Sequence, residues 1–207
     1  MPTKQSAKPP PKPATERYHH GDLRNALIEE AGRVLESDGV EAVTFRGLAR
    51  RLGVSHAAPS HHFADRHELL AELAADGYAA LADALEDAMS GTPPAEWRRN
   101  GGRAYLEFGL TSPQRYRMMF ASQLFLDECP ERLLGESSRA YLMLLKLSYG
   151  RDPDIDPESY RVGTRELASW SAVHGAMMLW LDGQLRESVD QAEFMRLSSE
   201  MLDELFA

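Results

Sequence analysis

Residues 44–63, TFRGLARRLGVSHAAPSHHF, hold the pattern on which the fold turns. The apolar residues Phe45, Leu48, Ala49 and Leu52 recur at i, i+3, i+4 and i+7, one face of a short helix. Thr44 stands where an N-cap is wanted, its hydroxyl oxygen able to receive an otherwise unpaired amide. Gly53 supplies the positive φ of a tight helix exit, and Ser55 can cap a second short helix over residues 55–62. Two helices joined by a short glycine turn make a helix-turn-helix. Ala49 lies four residues before Gly53, so a single methyl group stands where the helices would cross. Leu48, Leu52, Val54 and Phe63 are expected to close the core beneath.

The charge of the stretch agrees with that reading. From Ala42 to Ala64 there is no Asp or Glu, although 23 × 32/207 gives about 3.6 at the chain average. The same positions hold Arg46, Arg50, Arg51, His56, His61 and His62. Carboxylates here would repel a polyanion, so their absence suits contact with phosphates. The whole chain carries −9, but unevenly. Residues 1–66 have ten Lys/Arg against eight Asp/Glu, and residues 67–207 have 13 against 24, giving +2 and −11. An acidic body disfavours indiscriminate coating of DNA and leaves specific contact to the other end.

The 207 residues suit one large or two small domains. No apolar run approaches the ~18 residues of a membrane span, and the N-terminus has no apolar stretch of secretory type. Cys129, a lone cysteine, permits no internal disulfide and points to a reducing compartment, so a cytoplasmic location is expected. Residues 1–15 are rich in Lys and Pro and read as a disordered basic tail, either a plain flexible arm or one that touches DNA.

Helical periodicity continues to the end, with no strand-like alternation, so the fold class is all-α with about nine helices. A first helix runs from near Asp22 to Gly39, its stripe Leu23, Leu27, Ala31, Val34 and Leu35. With the stretch above it forms a head over residues 16–66. Asp65 and Glu68 resemble a capping box opening a linking helix over residues 67–91. Residues 92–207 form a second helical domain, with helices expected over 95–111, from Pro113, over 130–147, over 157–185 and over 190–206. The last two carry much apolar surface. Ala172, Val173, Ala176, Trp180 and Gly183 on one, and Phe194, Leu197, Met201 and Leu205 on the other, are the expected faces of a four-helix homodimer interface.

Six of the seven histidines lie at or before His67, yet no carboxylate or thiolate in the motif completes a zinc set, so neither metal nor cofactor is expected. His174 sits on an apolar seam. It is either a hydrogen-bonded core histidine or the polar anchor of a small-molecule pocket. Tyr105, Phe108, Met119, Phe120, Phe125, Tyr141, Trp170 and Met178 could supply the walls of such a ligand-binding pocket. No catalytic motif is present, and no enzymatic activity is expected.

Residues 21–70 resemble the DNA-binding domain of the tetracycline-repressor (TetR) family, in T-F-R-G-L-A-R-R-L-G-V-S, the closing H-H-F and the following D-R-H-E-L-L. Pro113, Tyr116 and Met119-Phe120 extend the likeness, and Trp170 with His174-Gly175 resembles the C-terminal WHG-type domain of one subgroup. Ser60 stands where the family usually has Tyr, and Arg66 where it usually has Lys. The resemblance implies a ligand-responsive regulator, a repressor by expectation, that binds a double-stranded DNA operator as a homodimer and is released by a small, partly apolar effector. Residues 55–62 would enter the major groove, with Ser55, His56, Ala57, Ser60, His61 and His62 toward bases or backbone and Thr44, Arg46 and Arg66 on phosphates. Two other readings stay open: a ligand-binding or scaffold dimer that has lost specific DNA contact, and an enzyme using His174.

Overall fold

The computed structural model describes residues 20–121, 129–151 and 161–206, and among these it is all-helical. Eight α-helices follow in order: α1 His20–Asp38, α2 Phe45–Leu52, α3 Arg66–Met89, α4 Pro94–Thr111, α5 Pro113–Met119, α6 Glu131–Tyr149, α7 Thr164–Leu181 and α8 Gln191–Phe206. Two single 3₁₀ turns, Val40–Ala42 and Pro59–His61, complete the described residues. The basic tail and Phe125 lie outside them.

In the head, α2 forms as the pattern requires. Thr44 Oγ1 accepts from the Gly47 amide at 3.2 Å, and Gly53 ends the helix at φ 68°, ψ 25°. A Cβ at Gly53 would meet nothing within 4 Å, so its only obstacle is the left-handed backbone. Gly53→Ala should therefore cost about 1–2 kcal/mol, read from urea unfolding, with no change in packing. Leu48, Ala49 and Phe63 are buried, whereas Leu52 and Val54 are only half-buried.

The second short helix differs from expectation. Residues 55–58 are not helical, and only Pro59–His61 is, of 3₁₀ type. Pro59 is the reason. Lacking an N–H, it cannot donate to the Ser55 carbonyl one α-turn back, and its ring crowds that carbonyl. Ser55 O instead accepts from Ala58 N at 3.0 Å, and His62 N reaches Pro59 O at 2.9 Å, both i→i+3 bonds. Pro59 itself is buried and anchors the turn.

The long α3 belongs to both halves of the molecule. Asp65 Oδ1 caps it through the Glu68 amide at 2.9 Å, and Glu68 Oε2 returns to the Ala64 amide at 2.6 Å. Its first turns pack Leu69, Leu70 and Leu73 into the head core with Leu27, Ala31, Leu35 and Val43. Beyond Tyr78 the same helix supplies Leu81 and Leu85 to a second core, shared with α4, α6, α7 and α8. Met118 of α5 and Leu133 of α6 reach back into the head core, so head and body interlock.

The expected helix over 157–185 is shorter at both ends. Residues 161–163 are not helical; Glu166 caps α7 by accepting from the Gly163 amide. At the other end Gly183, at φ 79°, turns the chain into the bends of residues 182–188. The expected dimer face changes with it. Val173, Trp180 and Phe194 are 4%, 8% and 2% exposed, held in the chain's own core, and the Trp180 and Phe194 rings stack at 4.7 Å. Being large and apolar, they close α7 onto α8 within one chain. Leu197 and Leu205 do remain exposed, at 42% and 55%.

Candidate functional site

The head presents a surface without carboxylates. Thr44, Arg46, Arg50, Ser55, His56, Ala57, Ser60 and His61 are exposed, and His62 is half-buried. Arg46 and Arg50 lie four apart, on one face of α2, and neither forms an ion pair or side-chain hydrogen bond among the described residues. Arg51 is different: its guanidinium meets Asp38 at 3.1 Å and Glu30 at 3.6 Å. Arg66 also turns inward. Its Nε donates to Val43 O at 2.8 Å and its Nη2 to Val40 O at 2.5 Å, tying α3 to the turn before α2. Arg66 thus braces the head, and Arg50, which the motif reading left out, is the better-presented cation. A second arginine one helical turn from Arg46 was the signal available in the sequence.

The body holds a polar knot inside aromatic packing. His174 Nδ1 lies 2.7 Å from the Tyr116 hydroxyl and 3.1 Å from that of Tyr105. The two hydroxyl oxygens are 3.2 Å apart, and the Trp170 indole N–H donates to the Tyr105 oxygen at 3.3 Å. Burial pushes both phenols well above their ordinary pKa, so both hydroxyls keep their protons, and each can donate one hydrogen bond and accept others. Nδ1 accepts from one of these hydroxyls or donates to it according to the tautomer of the ring. Burial also holds His174 below the ordinary value of 6.5.

The sign of the linkage follows. Below about pH 6.5 the unfolded chain takes up a proton that folded His174 resists, so acidification favours unfolding. Stability should fall as pH drops from about 6.5, by up to about 1.4 kcal/mol per pH unit, until the folded ring itself titrates. Urea unfolding across that range, with His174→Gln flattening the histidine part of the slope, checks it.

In front of this knot lies a cleft of about 440 Å³ between α3, α6 and α7. Of the expected pocket residues, Phe120, Tyr141 and Trp170 line it. Tyr105 and His174 sit behind, and the Phe120 ring meets the His174 ring edge-on at 4.5 Å. Phe108, Met119 and Met178 pack in or against the body core instead. Tyr78, Leu81, Ser137, Ser138 and Leu144 also line the cleft, and Tyr116 completes the knot; the pocket expectation included none of them. A buried tyrosine needs a partner for its hydroxyl, which was the one sequence signal for Tyr116.

Head and body are joined at one further point. Both oxygens of Glu36, near the end of α1, accept backbone amides at the start of α5: Arg115 N at 3.0 Å and Gln114 N at 3.2 Å. A carboxylate there satisfies free amides and sits at the positive end of the helix. The same α5 carries Tyr116, while its carbonyl at Met119 accepts the Tyr78 hydroxyl at 2.9 Å. Among the described residues no group of three His, Cys, Asp or Glu could hold a metal ion, and no helix is long and apolar enough to cross a membrane.

A helix-turn-helix head is locked by one long helix to a helical body with an aromatic cleft. Residues 27–73 match the bacterial regulatory proteins of the tetR family, and residues 98–203 match the tetracyclin repressor-like C-terminal domain. The chain belongs to the tetracycline-repressor family. It is 28% identical over 117 residues to an HTH-type transcriptional regulator of Mycobacterium tuberculosis, a match covering 55% of this chain and 50% of that protein. The chain thus spans about half the length of the curated relatives it matches. A solved protein of unknown function from Rhodococcus sp. RHA1 superposes with a TM-score of 0.73 at 29% identity, covering 91% of this chain and 97% of that one. AibR, solved in complex with isovaleryl coenzyme A and operator DNA, shares the fold, with a TM-score of 0.59 at 14% identity over 86% and 96% of the two chains.

Proposed function

We propose that the chain is a cytoplasmic transcriptional regulator, a repressor, that binds a two-fold DNA operator as a homodimer and is released by a small, partly apolar effector. The observation that carries this reading is the exposed, acid-free surface formed by α2 and the Pro59–His61 turn. Ser55, His56, Ala57, Ser60 and His61 face the groove, with Thr44, Arg46 and Arg50 on phosphates. His62 lies at the edge of that surface, and Arg66 contributes by holding it rigid.

The partner face is the exposed part of α7 and α8. Leu167, Ser171, Gly175 and Leu179 form one ridge at four-residue spacing, and Leu197 and Leu205 form another with the half-buried Met201 between them. Leu167 is 57% and Leu179 49% exposed, and a Cβ at Gly175 would meet nothing within 4 Å. Ridges of this spacing pack into the grooves of a like surface. Ala172 and Ala176 flank the first ridge, and Gly183 lies just past its end.

Effector binding acts through α5. A ligand seated against Phe120 bears on His174 and Tyr116, and α5 passes the shift to Glu36 on α1. Such a switch works only if the ligand binds the two head positions with different affinity. AibR shows that a protein of this fold is found with both a small molecule and operator DNA.

The test is a gel shift on the DNA upstream of the chain's own gene, repeated across salt. With six to ten phosphate contacts, affinity should fall about 10³–10⁵-fold between about 50 and about 200 mM salt. Salt-independent binding, or none, would leave the scaffold reading in its place.

A further inference from the structure

We propose that the cleft between α3, α6 and α7 takes an uncharged, flat molecule of one or two rings bearing hydroxyl or N–H groups, and rejects carboxylates and phosphates. This rests on the regulator reading above and narrows its effector to a chemical class.

Four rings form the walls in two edge-to-face pairs: Tyr78 with Phe120 at 5.8 Å and Tyr141 with Trp170 at 6.0 Å. Aromatic walls favour a flat aromatic guest, which can repeat the offset and edge contacts the rings already make. The polar tips decide the rest. Tyr78 donates its hydroxyl proton to Met119 O, Ser137 donates to Leu134 O at 3.1 Å, and the Trp170 N–H points away to Tyr105. What Tyr78 and Ser137 retain is lone pairs, so at these two hydroxyls the cleft accepts hydrogen bonds rather than giving them. Ser138 on the rim forms no hydrogen bond among the described residues and can serve in either sense. A guest that donates is therefore preferred.

An ion would meet no opposite charge among the described lining residues. None of the described residues around the cleft is Asp, Glu, Lys, Arg or His. Arg139, beside the rim on α6, is pinned to Asp83 at 2.5 Å and Glu86 at 3.0 Å on α3. A carboxylate entering would lose its water and gain no countercharge from the described lining residues. The four rings could attract a cation, but both acids of α3 that would support one are already paired with Arg139.

The experiment titrates the full-length chain with three probes of one shape: naphthol, naphthoate and trimethylnaphthylammonium. Calorimetry reads the affinities, and operator binding is measured on the same preparation. Naphthol should bind at least ~100-fold tighter than either ion, and Ser138→Trp, which fills the cleft from its exposed rim, should abolish that binding while the melting temperature holds. Tighter binding of naphthoate, or of the ammonium probe, overturns the class but keeps the site. Unchanged naphthol binding in Ser138→Trp, or binding of none of the three, overturns the site itself. In each case the operator measurement reports separately whether the DNA-binding reading survives.

Discussion

Operator affinity should fall about 10³-fold when Arg46 and Arg50 are both replaced by Glu. A unit charge about 4 Å from a phosphate is worth about 1 kcal/mol in water, so each reversal shifts binding by about 2 kcal/mol and the pair by about 4. Both side chains are exposed and unpaired among the described residues, so the folded head loses only the favourable placement of Arg50 in the last turn of α2, about 1 kcal/mol. Arg51→Glu is the control. That guanidinium already faces Asp38 and Glu30, so its reversal should disturb the head modestly and operator affinity far less. Anisotropy titrations of labelled operator with the two variants separate a specific cationic face from a general effect of charge. Equal losses in both would mean that α2 does not approach the phosphates.

The second large effect concerns the partner face. Leu179→Glu with Leu197→Glu should convert a dimer of twice 23.1 kDa into a monomer of 23.1 kDa, read by light scattering. In the single chain both leucines are 49% and 42% exposed, so the monomer tolerates the carboxylates. Across a two-fold axis each would be buried opposite apolar surface, at several kcal/mol per ion. Operator affinity should fall 10²–10⁴-fold with the loss of paired heads, the range that linking two half-site contacts supplies. An undiminished mass would move the interface elsewhere on the body. Trp180→Ala makes the contrast: it should lower the melting temperature by opening the core against Phe194, with the dimer retained.

Much of this architecture was legible in the chain because local rules agree with one another. Thr44, Gly53 and the i, i+3, i+4, i+7 pattern of α2 each specify the same helix, and the structure has it with the expected cap and exit. Pro59 is where the reading ran out. A serine cap and a basic run suggested a helix over residues 55–62, but one missing amide converts it to turns and a single 3₁₀ turn. Val173, Trp180 and Phe194 departed from expectation for a different reason. Periodicity places Val173, Trp180 and Phe194 on apolar stripes but does not say whether a stripe faces its own chain or another. The largest side chains went inward, and the ridges left outside are leucines interleaved with serine and glycine.

The body site was legible only in part. His174 and Trp170 stood out because polar groups on an apolar seam need partners, and they have them in Tyr105 and Tyr116. The α3 wall and most of the α6 wall were invisible, since Tyr78 lies about sixty residues from the adjacent Ser137 and Ser138 and meets them only in the packed bundle. The link from Glu36 to the α5 amides spans 78 and 79 residues, beyond any local pattern.

The central claim is that a braced, positively charged turn reads DNA in pairs, and selection of bound duplexes from a random pool by the full-length chain tests it most directly. The account predicts enrichment of an inverted repeat whose half-site centres lie about 10 base pairs, or a multiple of that, apart. A pool that stays random after repeated rounds, or one enriched in an unrepeated site, would contradict it.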